Sequence, residues 1–152
     1  MKDKESTYRT LAAQVKALCA GEDYPVSVMA NVAAAIYEAT GAWWAGFYVW
    51  RGDALRLGPF QGPVACTRIE AGRGVCGTAY AKRQTIVVPD VEQFPGHIAC
   101  SSRSRSEIVV PIFDNDGSVK AVLDLDSDRL AAFDDTDARH LEHIAALIAP
   151  HI

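Results

Sequence analysis

Residues 107–126, EIVVPIFDNDGSVKAVLDLD, predict two β-strands joined by a tight turn. Residues 107–113 and 118–126 are rich in β-branched and other apolar side chains, which favour strands. Between them, Asp114-Asn115-Asp116-Gly117 combines residue types that favour turns. The segment therefore predicts a β-hairpin.

A second hairpin is predicted in the first half of the chain. Residues 43–50 alternate aromatic and small side chains, and Arg51-Gly52-Asp53 forms the turn into residues 54–58. The segments that follow predict a strand at residues 59–68, a Gly-containing turn at 70–74, a short helix at 75–82 and a strand at 85–89.

Apolar residues recur at helical spacing in three further segments, residues 8–20, 26–40 and 134–148. Asp134 is a residue type that caps a helix, so we place the start of the last helix there. Strands grouped between terminal helices predict an α+β fold, in which a central antiparallel sheet has the N- and C-terminal helices on one face and a ligand pocket on the other. A length of 152 residues suits one domain and leaves no room for a second of typical size.

Charge and hydropathy exclude several classes of function. The formal net charge is −4, so the chain lacks the basic surface that binding to DNA or RNA needs. The N-terminus has no apolar core of a secretion signal, and no apolar run approaches the roughly 20 residues that cross a bilayer. We therefore expect a cytoplasmic protein without a membrane or nucleic-acid partner. In that compartment the four cysteines are expected to pack, bind metal or react.

Cys100 lies in a long segment, residues 90–105, that has no clear period and is predicted to be a loop. Loops of this length in compact domains are often functional. The nearby Arg103 and Arg105 would favour the thiolate, which is the nucleophilic form of cysteine. The alternative is a half-buried loop cysteine with arginines that face solvent.

Cys76 stands where the short helix at 75–82 should begin. Because helix N-termini lower thiol pKa values, local physics nominates Cys76 as the reactive thiol, although a small thiol also fills a tight glycine-rich turn well. Cys66 ends a predicted strand, and Cys19 is expected to be structural. A zinc site formed by Cys66, Cys76, His97 and Cys100 is a weaker alternative, because no pair has the close Cys-x-x-Cys spacing.

Three acidic residues stand in or beside apolar strands. Asp124 and Asp126 are two positions apart and therefore share one face of a strand, while Val122, Leu123 and Leu125 are expected to pack on the other side. Glu107 opens the neighbouring strand. Carboxylates that line one concave sheet repel one another, which raises at least one pKa and allows a neutral acid to donate a proton. The alternative is that an aspartate caps a turn and Glu107 faces water.

Aromatic side chains in residues 43–48 would lie on both faces of their strand. One set is expected in the core, and the other could line a pocket for a small apolar group such as a methyl.

At this point the chain resembles the free methionine-(R)-sulfoxide reductase family. The resemblance runs in order over nearly the whole domain. It is carried by residues 44–48 (WAGFY), 57–62 (LGPFQG), 65–66 (AC), 72–77 (GRGVCG), 90–91 (DV), 94–100 (FPGHIAC), 106–111 (SEIVVP) and 122–127 (VLDLDS).

The resemblance implies a single GAF domain over residues 1–152, with residues 1–20 as a possible contact in a homodimer. It implies that Cys100 is the nucleophile and Cys66 the resolving cysteine, with Cys76 as a second possible disulfide partner. The remaining roles that it implies fall into two groups: Glu107, Asp124 and Asp126 contact the sulfoxide oxygen or position the substrate, and Trp44 and Tyr48 line its pocket.

The implied reaction uses no metal or organic cofactor. An acid protonates the sulfoxide oxygen, the thiolate attacks sulfur, and the resulting sulfenic acid condenses with a second thiol to a disulfide that thioredoxin reduces. One departure is Ser101, where the family pattern has an acidic residue. Its loss either eases thiolate formation at Cys100 or removes a contact to the substrate ammonium. The competing interpretations are a GAF sensor that binds a ligand without turnover and a thiol switch that responds to peroxide.

Overall fold

The computed structural model describes residues 3–97 and 103–152. Ten elements of secondary structure occur in this part of the chain. In chain order they are α1 (Lys4–Cys19), α2 (Pro25–Thr40), β1 (Trp44–Trp50), β2 (Leu55–Gln61), β3 (Arg68–Ile69), α3 (Gly74–Lys82), β4 (Ile86–Val88), β5 (Ser106–Phe113), β6 (Val119–Ser127) and α4 (Asp135–Ile148). Short 3₁₀ turns are formed by Val91–Gln93 and Ala149–His151.

The six strands form one sheet in the order β3-β2-β1-β6-β5-β4, and every neighbouring pair is antiparallel. Both predicted hairpins are confirmed as β1–β2 and β5–β6. The long β1–β6 ladder joins the two hairpins at the centre of the sheet. The predicted α+β architecture is therefore confirmed.

Helices α1, α2 and α4 pack on one face of the sheet and form the larger core. Leu11 and Val15 of the predicted α1 stripe are fully buried there, against sheet residues such as Phe47 and Leu123. Helix α1 begins before the predicted residue 8 because the Asp3 side chain caps it, accepting a hydrogen bond from the Ser6 amide at 2.8 Å. Within the described ranges, no helix has both the length and the apolar character of a membrane span.

Helix α3 packs on the opposite face, over β5 and β6. Its buried residues Val75, Cys76 and Ala79 join a second, smaller core with Trp44 and Tyr48 of β1. The sheet thus separates a helix-covered core from a face that holds a cavity, as the sequence predicts.

The predicted strand at residues 59–68 is wrong. Strand β2 ends at Gln61, residues 62–67 form an irregular loop, and β3 has two residues. Gly62 has a φ of +128°, a conformation that favours glycine, and the following Pro63 has no N–H to donate to a strand ladder. These two residues end the strand.

The expected orientation of Val122 is also wrong. Val122 belongs to the smaller core with Tyr48, whereas Leu123 and Leu125 lie in the larger core. Because side chains alternate along a strand, Val122 must share a face with Asp124, two positions away.

Candidate active site

The strand register brings the three predicted acids into two adjacent rows. Glu107 of β5 pairs with Asp126 of β6, which pairs on its other side with Trp44 of β1. One row further along, Asp124 pairs with Gly46. Directly paired residues share a face of the sheet, so these side chains lie together on the cavity side.

Glu107 and Asp124 are each only 6% exposed, so the alternative in which Glu107 faces water is wrong. Burial raises the pKa of all three carboxyls well above its ordinary value, since it disfavours the charged form. Mutual repulsion adds to this shift: Asp124 raises the pKa of Glu107, and Glu107 raises that of Asp126. The cluster therefore holds protons at pH values where isolated carboxyls are ionised.

Asp124 Oδ1 is a buried oxygen without a hydrogen-bond partner among the described residues. Leaving such a group unpaired costs about 1–3 kcal/mol, and native structures usually avoid this. Because Asp124 lines the cavity, the unpaired oxygen marks a position where a bound molecule could hydrogen-bond.

Cys76 closes the cavity from the start of α3. It is a free thiol and is 4% exposed. The pKa of Cys76 lies well above its ordinary value, first because of burial and then because of the nearby Asp124, Glu107 and Asp126. The lowering expected from the helix N-terminus is therefore wrong, since burial and three carboxyls outweigh the helix.

A sulfur and two carboxylate oxygens, from Cys76, Glu107 and Asp124, lie within 4.8 Å of one another. These are the described side chains that could together ligate a metal ion. They differ from the zinc ligands considered from sequence, because Cys66 is disulfide-bonded and so offers no thiolate in this structure.

Cys66 is half-buried in the loop of residues 62–67 beside the cavity. Its backbone carbonyl accepts a hydrogen bond from the Tyr48 hydroxyl at 2.9 Å. Cys100, the expected nucleophile, and Ser101 lie outside the described residues. Cys19 is a free thiol, 3% exposed in the larger core, which agrees with the expected structural role.

Trp44 and Tyr48 line the cavity opposite the acids. Their ring centroids are 6.0 Å apart, and Phe60 stacks on Trp44 at 5.2 Å. Trp44 Nε1 donates a hydrogen bond to the Pro63 carbonyl at 3.1 Å. The two aromatic residues thus line the cavity and also hold the loop that carries Cys66.

Trp43 lines the same cavity, although strict alternation would place it opposite Trp44. It precedes β1, so the period of two does not apply to it. Its Nε1 donates a hydrogen bond to Ser104 Oγ at 3.1 Å, and the Ser104 hydroxyl in turn interacts with the Asp126 carboxyl. Arg103 lies over the Trp43 ring at 4.9 Å. The sequence gave no signal for this contact between distant segments.

His97 and Arg73 also line the cavity and were not assigned to it from the sequence. His97 Nε2 is 3.8 Å from Glu107 Oε1, and burial lowers the pKa of His97 below its ordinary value. A neutral imidazole is therefore placed beside the buried acids. The only signal in the sequence was the position of His97 in the loop that carries Cys100.

The cavity offers about 60 Å³ to the centres of water-sized molecules, enough for a small organic molecule and far too little for a polymer. One wall carries protonated carboxyls, the other carries aromatic rings, and cysteines border both. Such a site can hold an apolar group against the rings, donate protons to an oxygen atom and carry out thiol chemistry on the atom between them.

Comparison with known proteins agrees with this geometry. Residues 25–152 match the GAF domain family. GAF domain-containing protein A of Dictyostelium discoideum is 51% identical over 95% of this chain and 92% of its own length. The free methionine-R-sulfoxide reductase of Escherichia coli is 45% identical over 95% of this chain and 87% of its own length. The free methionine-R-sulfoxide reductase of Neisseria meningitidis, solved in complex with its substrate, is 51% identical, with a TM-score of 0.96 over 99% of this chain and 91% of that one.

Proposed function

The chain belongs to the GAF-domain family that includes the free methionine-R-sulfoxide reductases, and we propose that it reduces free L-methionine-(R)-S-oxide to methionine. The observation that carries this proposal is the group of three buried carboxyls with raised pKa values that faces Trp44 and Tyr48 across a small cavity.

The substrate would lie with its S-methyl group against Trp44 and its sulfoxide oxygen toward Glu107, Asp124 and Asp126. The unpaired Asp124 Oδ1 supports this orientation, because a ligand that bonds to it would remove an unfavourable feature of the empty site. Sulfoxide sulfur is a poor electrophile until its oxygen is protonated. A neutral Glu107 can supply that proton, and general acid assistance is typically worth about 10²- to 10⁴-fold.

In the chemical step the Cys100 thiolate attacks the sulfoxide sulfur while an acid of the cluster protonates the oxygen. The sulfur–oxygen bond then breaks, methionine leaves with the electron pair, and the hydroxyl remains on Cys100 as a sulfenic acid. The substrate is reduced by two electrons and Cys100 is oxidised by two. No metal or organic cofactor enters these steps.

Cys66 is the resolving thiol in this proposal. Its attack on the sulfenic acid forms a disulfide with Cys100 and releases water. The disulfide-bonded state of Cys66 supports this choice over Cys76, whose thiolate is disfavoured by burial and by three neighbouring carboxyls. Thioredoxin then reduces the disulfide by thiol exchange. A homodimer with residues 1–20 at its contact and a cytoplasmic location complete the proposal.

The test is to incubate the fully reduced protein with each epimer of free methionine sulfoxide, without a recycling donor, and to map disulfides by mass spectrometry. We expect about one methionine per chain from the R epimer only, together with a Cys66–Cys100 disulfide. Unchanged sulfoxide with free thiols would overturn the proposal in favour of a ligand sensor. A disulfide that forms with peroxide and not with either epimer would favour a redox switch.

A further inference from the structure

Val64 is the most exposed of the large apolar side chains in the described ranges, at 90%. It lies two residues before Cys66, at the mouth of the cavity. A single exposed apolar residue needs no explanation in general, but this one is held in place next to a disulfide-bonded sulfur.

The loop around Val64 is fixed on both sides. Gly62 lies so close to Trp44 that an added Cβ would be 2.7 Å from the indole Cδ1. The Pro63 carbonyl accepts the Trp44 Nε1–H hydrogen bond at 3.1 Å, and the Cys66 carbonyl accepts the Tyr48 hydroxyl at 2.9 Å. Val64 therefore projects from an ordered loop, and its exposure does not come from a loose segment.

The chemistry next to Val64 determines what can dock there. A disulfide is reduced when an external thiolate attacks one of its sulfurs, so the partner must bring a dithiol to Cys66. Residues 61–67 of the loop carry no charged side chain, which suits a partner whose reactive cysteine is surrounded by apolar surface.

We propose that Val64 is the docking point for the dithiol protein that reduces this chain, and that this partner attacks Cys66 Sγ. The inference rests on the proposed function, which requires such a reductant. The partner thiolate forms a mixed disulfide with Cys66, and the displaced sulfur takes up the electron pair and a proton. The partner's second thiol then attacks the mixed disulfide and releases Cys66 as a thiol, so the partner loses two electrons and this chain gains them.

Thioredoxin is the probe for the first experiment, with Val64→Asp compared with the parent protein. We expect the kcat/KM for thioredoxin to fall about tenfold, and the ratio of thioredoxin-driven to dithiothreitol-driven turnover to fall with it. Val64→Ala should lower the ratio less. The matched control is Val26→Asp, an exposed valine of α2 that is 46% exposed and lies outside this loop, and it should leave the ratio unchanged.

The second experiment traps the exchange intermediate with a thioredoxin whose second reactive cysteine is replaced by serine. We expect peptide mapping to find the mixed disulfide on Cys66, and Val64→Asp to slow its formation. A mixed disulfide on another cysteine, or equal ratios for Val64→Asp and Val26→Asp, would overturn the docking proposal. Release of one methionine per reduced chain, measured without thioredoxin, tests the proposed function separately.

Discussion

The Tyr48 hydroxyl donates a hydrogen bond to the Cys66 carbonyl across 2.9 Å. This bond joins the aromatic wall of the cavity to the loop of a cysteine that must come close to the reacting centre. Burial raises the pKa of Tyr48 far above its ordinary value, so the hydroxyl keeps its proton and remains a donor. Tyr48 therefore acts on both the pocket shape and the position of Cys66.

We expect Tyr48→Phe to slow disulfide formation more than methionine release. The ring remains, but the Cys66 carbonyl loses its donor, and a neutral hydrogen bond is worth about 0.5–1.5 kcal/mol, or roughly a three- to tenfold change. Rapid quenching of a single turnover, with separate measurement of methionine and free thiols, resolves the two steps. Equal slowing of both would show that Tyr48 acts on the substrate alone.

Glu107→Gln should reduce the rate of methionine release by about 10²- to 10⁴-fold, because an amide cannot transfer the proton. In the parent protein the raised pKa of Glu107 keeps the acid neutral, so activity should persist through neutral pH and fall at alkaline pH. The pH profile of first-turnover methionine release measures both effects. Glu92→Gln, at an exposed position outside the cavity, is the matched control. A parent-like rate for Glu107→Gln would remove Glu107 from the role of acid.

Asp124→Asn should stabilise the protein at alkaline pH. The pKa of Asp124 is raised in the folded state, so this carboxyl contributes stability at acidic pH that is lost as pH rises through the folded-state pKa. The amide has no such titration, and each unit of pKa shift removed is worth about 1.4 kcal/mol.

Urea unfolding from pH 4 to pH 9 measures this difference in the free energy of unfolding. Asp116→Asn is the control, because hydrogen bonds from Ser118 lower the pKa of exposed Asp116, and its substitution should not raise stability at alkaline pH. A difference between Asp124→Asn and the parent that does not grow with pH would contradict the burial argument.

Gly46→Ala should weaken both folding and substrate binding. A Cβ at this position would lie 2.3 Å from Phe60 Cβ and 2.8 Å from Trp44 Cη2, and overpacking of this kind costs about 1–3 kcal/mol. Because Trp44 must move, we expect the KM for methionine sulfoxide to rise. Gly21→Ala has open space around it and a φ of +73°, so it should cost stability without changing the KM. Equal KM values for the two variants would exclude a role for Gly46 in shaping the pocket.

Much of the fold follows from local patterns in the sequence. The period-two runs and turn residues predicted both hairpins, and the helical stripes predicted α1, α2 and α4. The strand predicted at residues 59–68 was wrong because Gly62 and Pro63 end β2, and the glycine conformation depends on the Trp44 ring, which packs from another strand. Local propensity does not contain that contact.

The sequence by itself determined that Asp124 and Asp126 share a face, since alternation along a strand is a local property. Only the tertiary structure decided that Glu107 and Asp126 are paired across two strands and that Cys76 of α3 faces them, with its pKa raised instead of lowered. The contacts of Trp43 with Ser104 and of Tyr48 with Cys66 also join segments that are distant in sequence. Burial and neighbouring charge set a group's pKa, and both arise only when the sheet and α3 come together.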